Sequence, residues 1–192
     1  MYIERGNHSH EEKMFSIFET CTEWITNGKL RPSVELGKKV NITTDRFQLI
    51  VDYQTVDNQS DSDLVIALAD RLTPLFKIGS WSFDKGYWHP DNYALLKLVI
   101  PEVILPQKGK SNQEETEREY QPLFKKFRNR HNAVESNIHS LETRGLSRCP
   151  DRGKAHFKRY VAWGVCACNL CCIGRKLQAD CKAEELRLKK AA

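Results

Sequence analysis

The sequence lacks any long apolar run. No stretch approaches the roughly 20 apolar residues that a membrane-spanning helix needs. The N-terminus, MYIERGNHSHEEK, is polar and does not resemble a secretory signal. Internal repeats and low-complexity segments are also missing. These absences argue against membrane and repeat architectures, and they predict a globular protein of the cytoplasm.

The cysteines lack the spacing of a metal site. There are seven, an odd number, and four of them crowd into VCACNLCCIG, from Cys166 to Cys172. Structural zinc sites combine two separated Cys-x2-Cys pairs, or cysteines with spaced histidines, and this segment has no second half. A zinc-binding module is therefore less favoured than small apolar cysteines in a core. Disulfides are not expected in the cytoplasm.

The charge has only a modest surplus of one sign, but it is unevenly placed. Lysine and arginine total 30 against 25 acidic residues, a formal net charge of +5. Segregated positive charge fits a contact with nucleic acid, although a solvated helix face is the commoner source of any single basic run. The region from Phe124 to Arg159 holds Lys125, Lys126, Arg128, Arg130, Arg144, Arg148, Arg152, Lys154, Lys158 and Arg159, opposed by Glu135, Glu142 and Asp151.

The first half of the chain predicts strands followed by a helix. At 192 residues it is long enough for one domain with a core. MFSIF (14–18) is typical of a short strand, and KKVNITTD and FQLIVDYQTV predict a hairpin that turns at Asp45-Arg46. Residues 64–76 have helical spacing, with Asp61 or Ser62 as the N-cap.

The second half predicts strands joined by helical crossovers. Residues 78–83 form a strand that delivers Asp84, a helix starts at Pro90, and 101–105 form a strand. One long polar helix from Glu114 to about Arg144, interrupted at Pro122, ends at Gly145. A helix from Ala155 to about Gly174 is apolar on most faces, so we expect it to be buried. The order predicts a mixed α/β, ribonuclease H-like fold with antiparallel first strands and two long C-terminal helices.

Two acids are the candidate catalytic and metal-binding residues. In this arrangement Asp84 at a strand end and Glu135 on the long helix converge at one sheet edge. Carboxylates there suit two Mg²⁺ ions, or Mn²⁺, which activate an attacking hydroxyl and stabilise the leaving oxygen of a phosphodiester. Taken alone, Asp84 is more typical of a turn or cap, and Glu135 of a solvated helix surface.

Three segments in order resemble one family. SWSFDKGYWHPDNYALL resembles the second-aspartate segment of bacterial insertion-sequence transposases of the Asp-Asp-Glu type. RNRHNAVESNIHSLETRGLSRCPDRGKAHFKRYVAWGVCACNL resembles their C-terminal catalytic segment. VELGKKVNITTDRFQLIVDYQTVDNQSDSDL resembles the hairpin that precedes their first helix. The resemblance covers roughly residues 14–176, leaving 1–13 as a disordered or truncated start and 177–192 as a charged tail.

The resemblance implies a transposase that cleaves and transfers DNA strands at the ends of its element. Asp84 is then the second acid of the triad and Glu135 the third, both ligating Mg²⁺ or Mn²⁺. Double-stranded DNA of the element ends and the target is the expected partner, and a homodimer on DNA is compatible with it. Neither a membrane nor a small-molecule substrate is expected.

The sequence departs from the family at the first aspartate. MFSIFET offers Glu19 near its end, and Glu11 and Glu12 precede it. We therefore expect the chain to be the C-terminal part of a transposase. An inactive remnant, which keeps the fold and at most binds DNA or pairs with full-length transposase, is the alternative. A nuclease or resolvase on this fold would need a complete acid cluster.

Six basic residues are the candidate DNA contacts. Many relatives read Y-x2-R-x3-E-x6-K around the glutamate, and the matching positions here are Arg128, His131 and Glu142. Arg130 and Arg144 either serve a similar phosphate-binding role from adjacent positions or are ordinary exposed helix arginines. Trp88 either stacks on a DNA base, together with His89, or packs under the helix that starts at Pro90. The six candidates are Lys85, Lys108, Lys110, Arg128, Arg130 and Arg144.

Overall fold

A computed structural model describes residues 14–26, 34–110 and 112–191, so the predicted start at 1–13 lies outside the described residues. The prediction of a mixed α/β protein is confirmed, with small antiparallel and parallel sheets and a long C-terminal helix. The chain forms two compact units. The first takes the chain up to Asp45, Leu49–Asp57 and the part from Ser140 onward, and the second takes Arg46–Gln48 and Asn58–His139.

The first unit contains two antiparallel strand pairs. Strand β1 (Glu23–Thr26) pairs with β2 (Val34–Gly37), and β3 (Lys39–Thr44) pairs with β4 (Ile50–Val56). The β3–β4 pair is the predicted hairpin. Its turn is held by Asp45, whose side chain accepts a hydrogen bond from the backbone of Leu49 at 2.9 Å.

The predicted strand at 14–18 is wrong, because these residues form bends. Ser16 is the physical reason. Its hydroxyl accepts hydrogen bonds from the backbone N–H groups of Phe18 at 3.3 Å and Glu19 at 3.0 Å. Serine side chains that bond to nearby backbone in this way favour turns over strands.

Helix α6 (Lys154–Ala191) belongs to the first unit and is 38 residues long. It continues past the predicted end at Gly174, so the residues expected to form a charged tail extend the helix. One face packs into a core made of Ile50, Leu141, Val161, Val165 and Cys168. The opposite face is exposed, which corrects the expectation that the helix is buried on most faces. In the described ranges, no helix is both long and apolar enough to cross a membrane.

Polar contacts join the β3–β4 hairpin to α6. The amide of Asn169 donates to the carbonyl of Ile50 and accepts from its N–H, both at 2.9 Å. Asp57, just after β4, pairs with Lys154 at 2.5 Å and with Lys38. Hydrogen bonds from these two lysines lower the pKa of Asp57 to about 2. The hairpin and the helix are therefore held together by polar as well as apolar contacts.

The second unit begins with a capped helix. Helix α1 (Asp61–Leu72) has Ser60 as its N-cap, one residue before the predicted candidates, because Ser60 and Asp63 form a reciprocal capping box. Strands β5 (Ser80–Ser82) and β6 (Glu102–Ile104) are parallel and are joined by α2 (Pro90–Val99), as the crossover prediction requires. Buried apolar residues lie on all of these elements.

The predicted long polar helix is divided into three. They are α3 (Gln113–Tyr120), α4 (Pro122–Arg130) and α5 (Asn132–Leu141). The first break falls at Pro122 as expected, because proline lacks the N–H that would continue the helix. A second break at His131 was not predicted. A wide helical turn (Glu142–Leu146) follows α5 and contains Gly145, whose φ of 113° favours glycine.

Gly164 in α6 provides a stability test of the first unit. A Cβ at this position would lie 2.0 Å from Cδ1 and 3.0 Å from Cγ of Leu146. We expect Gly164→Ala to lower the free energy of unfolding by roughly 1–2 kcal/mol, because overpacking outweighs the better helix propensity of alanine. Denaturant titration followed by circular dichroism measures this change.

Two further variants isolate the cause. In a Leu146→Ala background the same Gly164→Ala change should stabilise the fold by about 0.5–1 kcal/mol, since only the propensity remains. Gly174→Ala is the matched control in the same helix, because no atom lies within 4 Å of its added Cβ. Equal effects at the two glycines would contradict the packing argument.

Candidate active site

Asp84 follows the parallel strand pair directly. The N–H of Phe83 donates to the carbonyl of Ile104 at 2.9 Å, which extends the β5–β6 pairing up to the residue before Asp84. Asp84 is then the N-cap of a short 3-10 turn (Lys85–Tyr87), and its Oδ1 accepts from the N–H of Lys85 at 2.7 Å. The cap interpretation and the strand-end prediction are therefore both correct, and the carboxylate is exposed.

The turn after Asp84 is packed closely against the start of α1. A Cβ on Gly86 would lie 2.7 Å from Oδ2 of Asp61, so a larger residue here would displace the Asp61 carboxylate. The buried side chain of Asn92 donates to the carbonyls of Ser62 at 2.7 Å and Tyr87 at 3.4 Å. Gly86 and Asn92 both belong to the segment FDKGYWHPDN (83–92). Their contacts hold the turn that begins at Asp84.

Glu135 lies in the first turn of α5 and is exposed. It shares a neighbour with Asp84, the half-buried His131 at the junction of α4 and α5. Burial lowers the pKa of His131 below 6.5, while the charges of Asp84 and Glu135 and a hydrogen bond with the backbone of Ser82 oppose this shift. The negative charges of both predicted acids thus act on His131.

A further carboxylate acts on the same turn from α1. The pKa of Tyr87 is raised by burial first, and then by the negative charges of Asp61 and Asp84. We predicted Asp61 only as a possible helix cap. The sequence indicated only that Asp61, in NQSDSDL, lies at the start of the helix after the hairpin. Sequence spacing alone did not indicate that Asp61 approaches Gly86.

The described residues do not assemble a complete metal centre. In these ranges no group of three or more His, Cys, Asp or Glu side chains could hold a metal ion. Glu19, the candidate first acid, lies in the first unit and accepts from the backbone N–H of Gly153 at 3.0 and 3.3 Å. Glu11 and Glu12 lie outside the described residues.

The predicted basic residues are distributed over several elements. Arg128 lies in the last turn of α4, its charge acts on His131, and its guanidinium lies 3.9 Å from the Glu119 carboxylate. Lys85 follows Asp84 in the 3-10 turn, Lys108 and Lys110 are exposed on the loop after β6, and Arg130 lies over the ring of Phe127. Arg144 belongs to the first unit. Arg128 and Lys85 are therefore the basic candidates with a direct link to the acid pair.

The aromatic residue after the turn has a packing role. The ring centroid of Trp88 lies 5.8 Å from that of Tyr93 on α2, which confirms the packing interpretation. The guanidinium of Arg118 lies 4.2 Å from the Tyr93 centroid and 5.5 Å from that of Trp88. His89 caps α2, since its Nδ1 accepts from the N–H of Asp91 at 3.3 Å.

The cysteine cluster is split between two environments. Cys168 is buried in the core, as predicted, and Cys172 is half-buried. Cys166 and Cys171 are exposed, so the expectation that they are core residues is wrong. A helix turns by about 100° per residue, which places these neighbouring positions on different faces.

No protein-family model matches the chain, and no curated protein and no solved structure matches it either. The resemblance to insertion-sequence transposases therefore stays a prediction carried by the quoted segments.

Asn92 provides a test of how the turn after Asp84 is held. Asn92→Ala should lower the free energy of unfolding by roughly 1–3 kcal/mol, because two backbone carbonyls lose their donor and a buried side chain is truncated. Thermal or chemical denaturation measures the loss. Asn129→Ala, on the exposed surface of α4, is the control and should change stability by less than about 0.5 kcal/mol.

His131 reports on the spatial relation of the two acids. Asp84→Asn and Glu135→Gln should each lower the pKa of His131 further, because each removes a negative charge that favours the imidazolium. An NMR titration of the His131 ring protons measures this value. Asp91→Asn is the control, since Asp91 is paired with His89. An unchanged pKa in both acid variants would contradict the shared-neighbour geometry.

Proposed function

We propose that the chain is the catalytic portion of an insertion-sequence transposase of the Asp-Asp-Glu type, with a ribonuclease H-like arrangement of its elements. It would carry out metal-dependent cleavage and transfer of DNA strands. One observation carries the proposal: Asp84 follows a parallel strand, and Glu135 lies on a later helix of the same unit. The negative charge of each acid also raises the pKa of His131. The sequence resemblance had assigned these two positions as acids of the triad.

The acid pair fits Mg²⁺ or Mn²⁺ as an ion shared with DNA. Both groups are exposed carboxylates, and Mg²⁺ is usually held by one or two carboxylates together with waters and substrate phosphates. Asp84 uses Oδ1 for the cap, which still allows a carboxylate to coordinate an ion. When bound, such ions activate the attacking hydroxyl and stabilise the leaving oxygen.

The remaining residues of the site would bind and orient DNA. Lys85 and Arg128 supply positive charge beside the acids, where a phosphate of the scissile strand must come close. Lys108, Lys110 and Arg130 are basic side chains of the same unit, suited to contacts with the DNA backbone that carry no sequence information. Binding through such groups should weaken as the salt concentration rises.

A second candidate is the inactive remnant that keeps the fold and binds DNA. The absence of a three-ligand group among the described residues favours it. Glu19 also favours it, because its carboxylate already holds the backbone of Gly153. Both candidates share DNA as the partner, and they differ in metal-dependent chemistry.

Cleavage of duplex DNA that carries the ends of the parent element distinguishes the two candidates. With Mg²⁺ or Mn²⁺ we expect cleaved strands ending in a 3′-hydroxyl. Asp84→Asn and Glu135→Gln should reduce the rate by about two orders of magnitude or more, since a lost metal ligand removes several kcal/mol of transition-state stabilisation. Asp91→Asn is the control and should cleave at the wild-type rate.

Metal binding is measured separately from cleavage. Mn²⁺ is paramagnetic, so an ion at Asp84 and Glu135 should broaden the NMR signals of His131, and the broadening should be lost in Asp84→Asn. Broadening without cleavage would support an incomplete site. DNA binding with neither broadening nor cleavage would overturn the catalytic proposal in favour of the inactive remnant.

A further inference from the structure

Helix α6 exposes a continuous apolar face opposite its core face. The core side chains Val161, Val165 and Cys168 lie on one side of the helix. On the other side Trp163 is 70% exposed, Leu170 63%, Ile173 44% and Leu177 60%, and Cys166 and Cys181 are also exposed. At 3.6 residues per turn these six positions fall within an arc of roughly 80°. We call them the α6 stripe.

The spacing of the α6 stripe is that of a helix-pairing surface. Trp163, Cys166, Leu170, Ile173 and Leu177 repeat at alternating intervals of three and four residues, the a and d positions of a heptad. Single exposed apolar residues are ordinary, but a continuous row over several turns is typical of an interface. No described residue covers this row in the structure.

The charges at the two ends of the stripe identify its partner. Arg159 extends the same heptad by one position at the N-terminal end, and Asp180 and then Glu184 occupy its next two positions at the C-terminal end; all three are exposed. Two parallel copies would place arginine against arginine and glutamate against glutamate. Two antiparallel copies place Arg159 of each against Glu184 of the other, which is favourable at both ends.

We propose that the α6 stripe binds the same stripe of a second copy of this chain, in an antiparallel pair. With the midpoint between Cys171 and Cys172, Leu170 packs on Ile173 of the second copy and Cys166 packs on its Leu177. Trp163 then lies against Asp180 of the second copy, and Arg159 against its Glu184. Each a position then meets a d position. The pair from Arg159 to Glu184 spans about four heptads, or roughly 38 Å at 1.5 Å per residue, which is long enough for a stable seam.

The pairing would give the protein a two-fold axis through the middle of α6. It is independent of the proposed DNA chemistry, because none of the residues in the stripe belongs to the candidate active site. A C2 interface of this kind is self-complementary, so a single row of side chains supplies both halves of the contact.

Sedimentation velocity on the whole chain tests the proposal, under reducing conditions so that the exposed cysteines stay free. Over about 1 to 100 μM we expect a reversible monomer–dimer equilibrium. Leu170→Glu and Leu177→Glu should each raise the dimer dissociation constant about tenfold or more, with helicity retained by circular dichroism. Leu186→Glu is the matched control: Leu186 is 59% exposed but lies on the opposite face of α6, so dimerisation should be unchanged.

Charge reversal tests the orientation. Arg159→Glu and Glu184→Arg should each weaken the dimer about tenfold, and the double variant should restore it. A wild-type chain that stays monomeric at the highest concentration would overturn the proposal, as would a dimer that tolerates Leu170→Glu and Leu177→Glu. A dimer that is sensitive at Leu170 but shows no rescue by the double reversal would overturn the antiparallel arrangement.

Discussion

The close approach of Asp61 to Gly86 is the constraint on which the candidate site depends. A larger residue at Gly86 would meet the Asp61 carboxylate and force it to move aside. Asn92 stabilises the same junction, because its side chain donates hydrogen bonds to the carbonyls of Ser62 and Tyr87. Because the turn is fixed at both points, Asp84 has a defined position at the end of β5.

Asp84 and Glu135 are both exposed, which suits the proposed role of metal ligands better than that of a buried proton donor. Burial lowers the pKa of His131, on which the charges of both acids act, and this favours a neutral imidazole. A neutral ring beside two carboxylates leaves their negative charge available to an ion, whereas an imidazolium would compensate it. Arg128 is a positively charged residue that also acts on His131, and its guanidinium lies close to the carboxylate of Glu119.

Sequence predicted the local features that depend on neighbouring residues. Turn-forming residues and the backbone limits of proline account for four of these features. They are the β3–β4 hairpin, the strand that precedes Asp84, the start of α2 at Pro90 and the helix break at Pro122. The failures depend on contacts made elsewhere in the chain. A serine hydroxyl turned 14–18 into bends, and the break at His131 follows neither proline nor glycine. The approach of Asp61 to Gly86 required the packing of α1, which no local pattern encodes.

Helix α6 shows most clearly where sequence reasoning stops. Its N-terminal half is apolar around most of its circumference, and such a helix is normally buried on every face. The chain itself covers one face only, through Ile50, Leu141 and the core residues of α6. Periodicity reports that a surface avoids water but not which molecule covers it. The opposed charges of Arg159 and Glu184 are the observation on which we base the proposal of an antiparallel neighbour of the same sequence, because such a neighbour satisfies both ends at once.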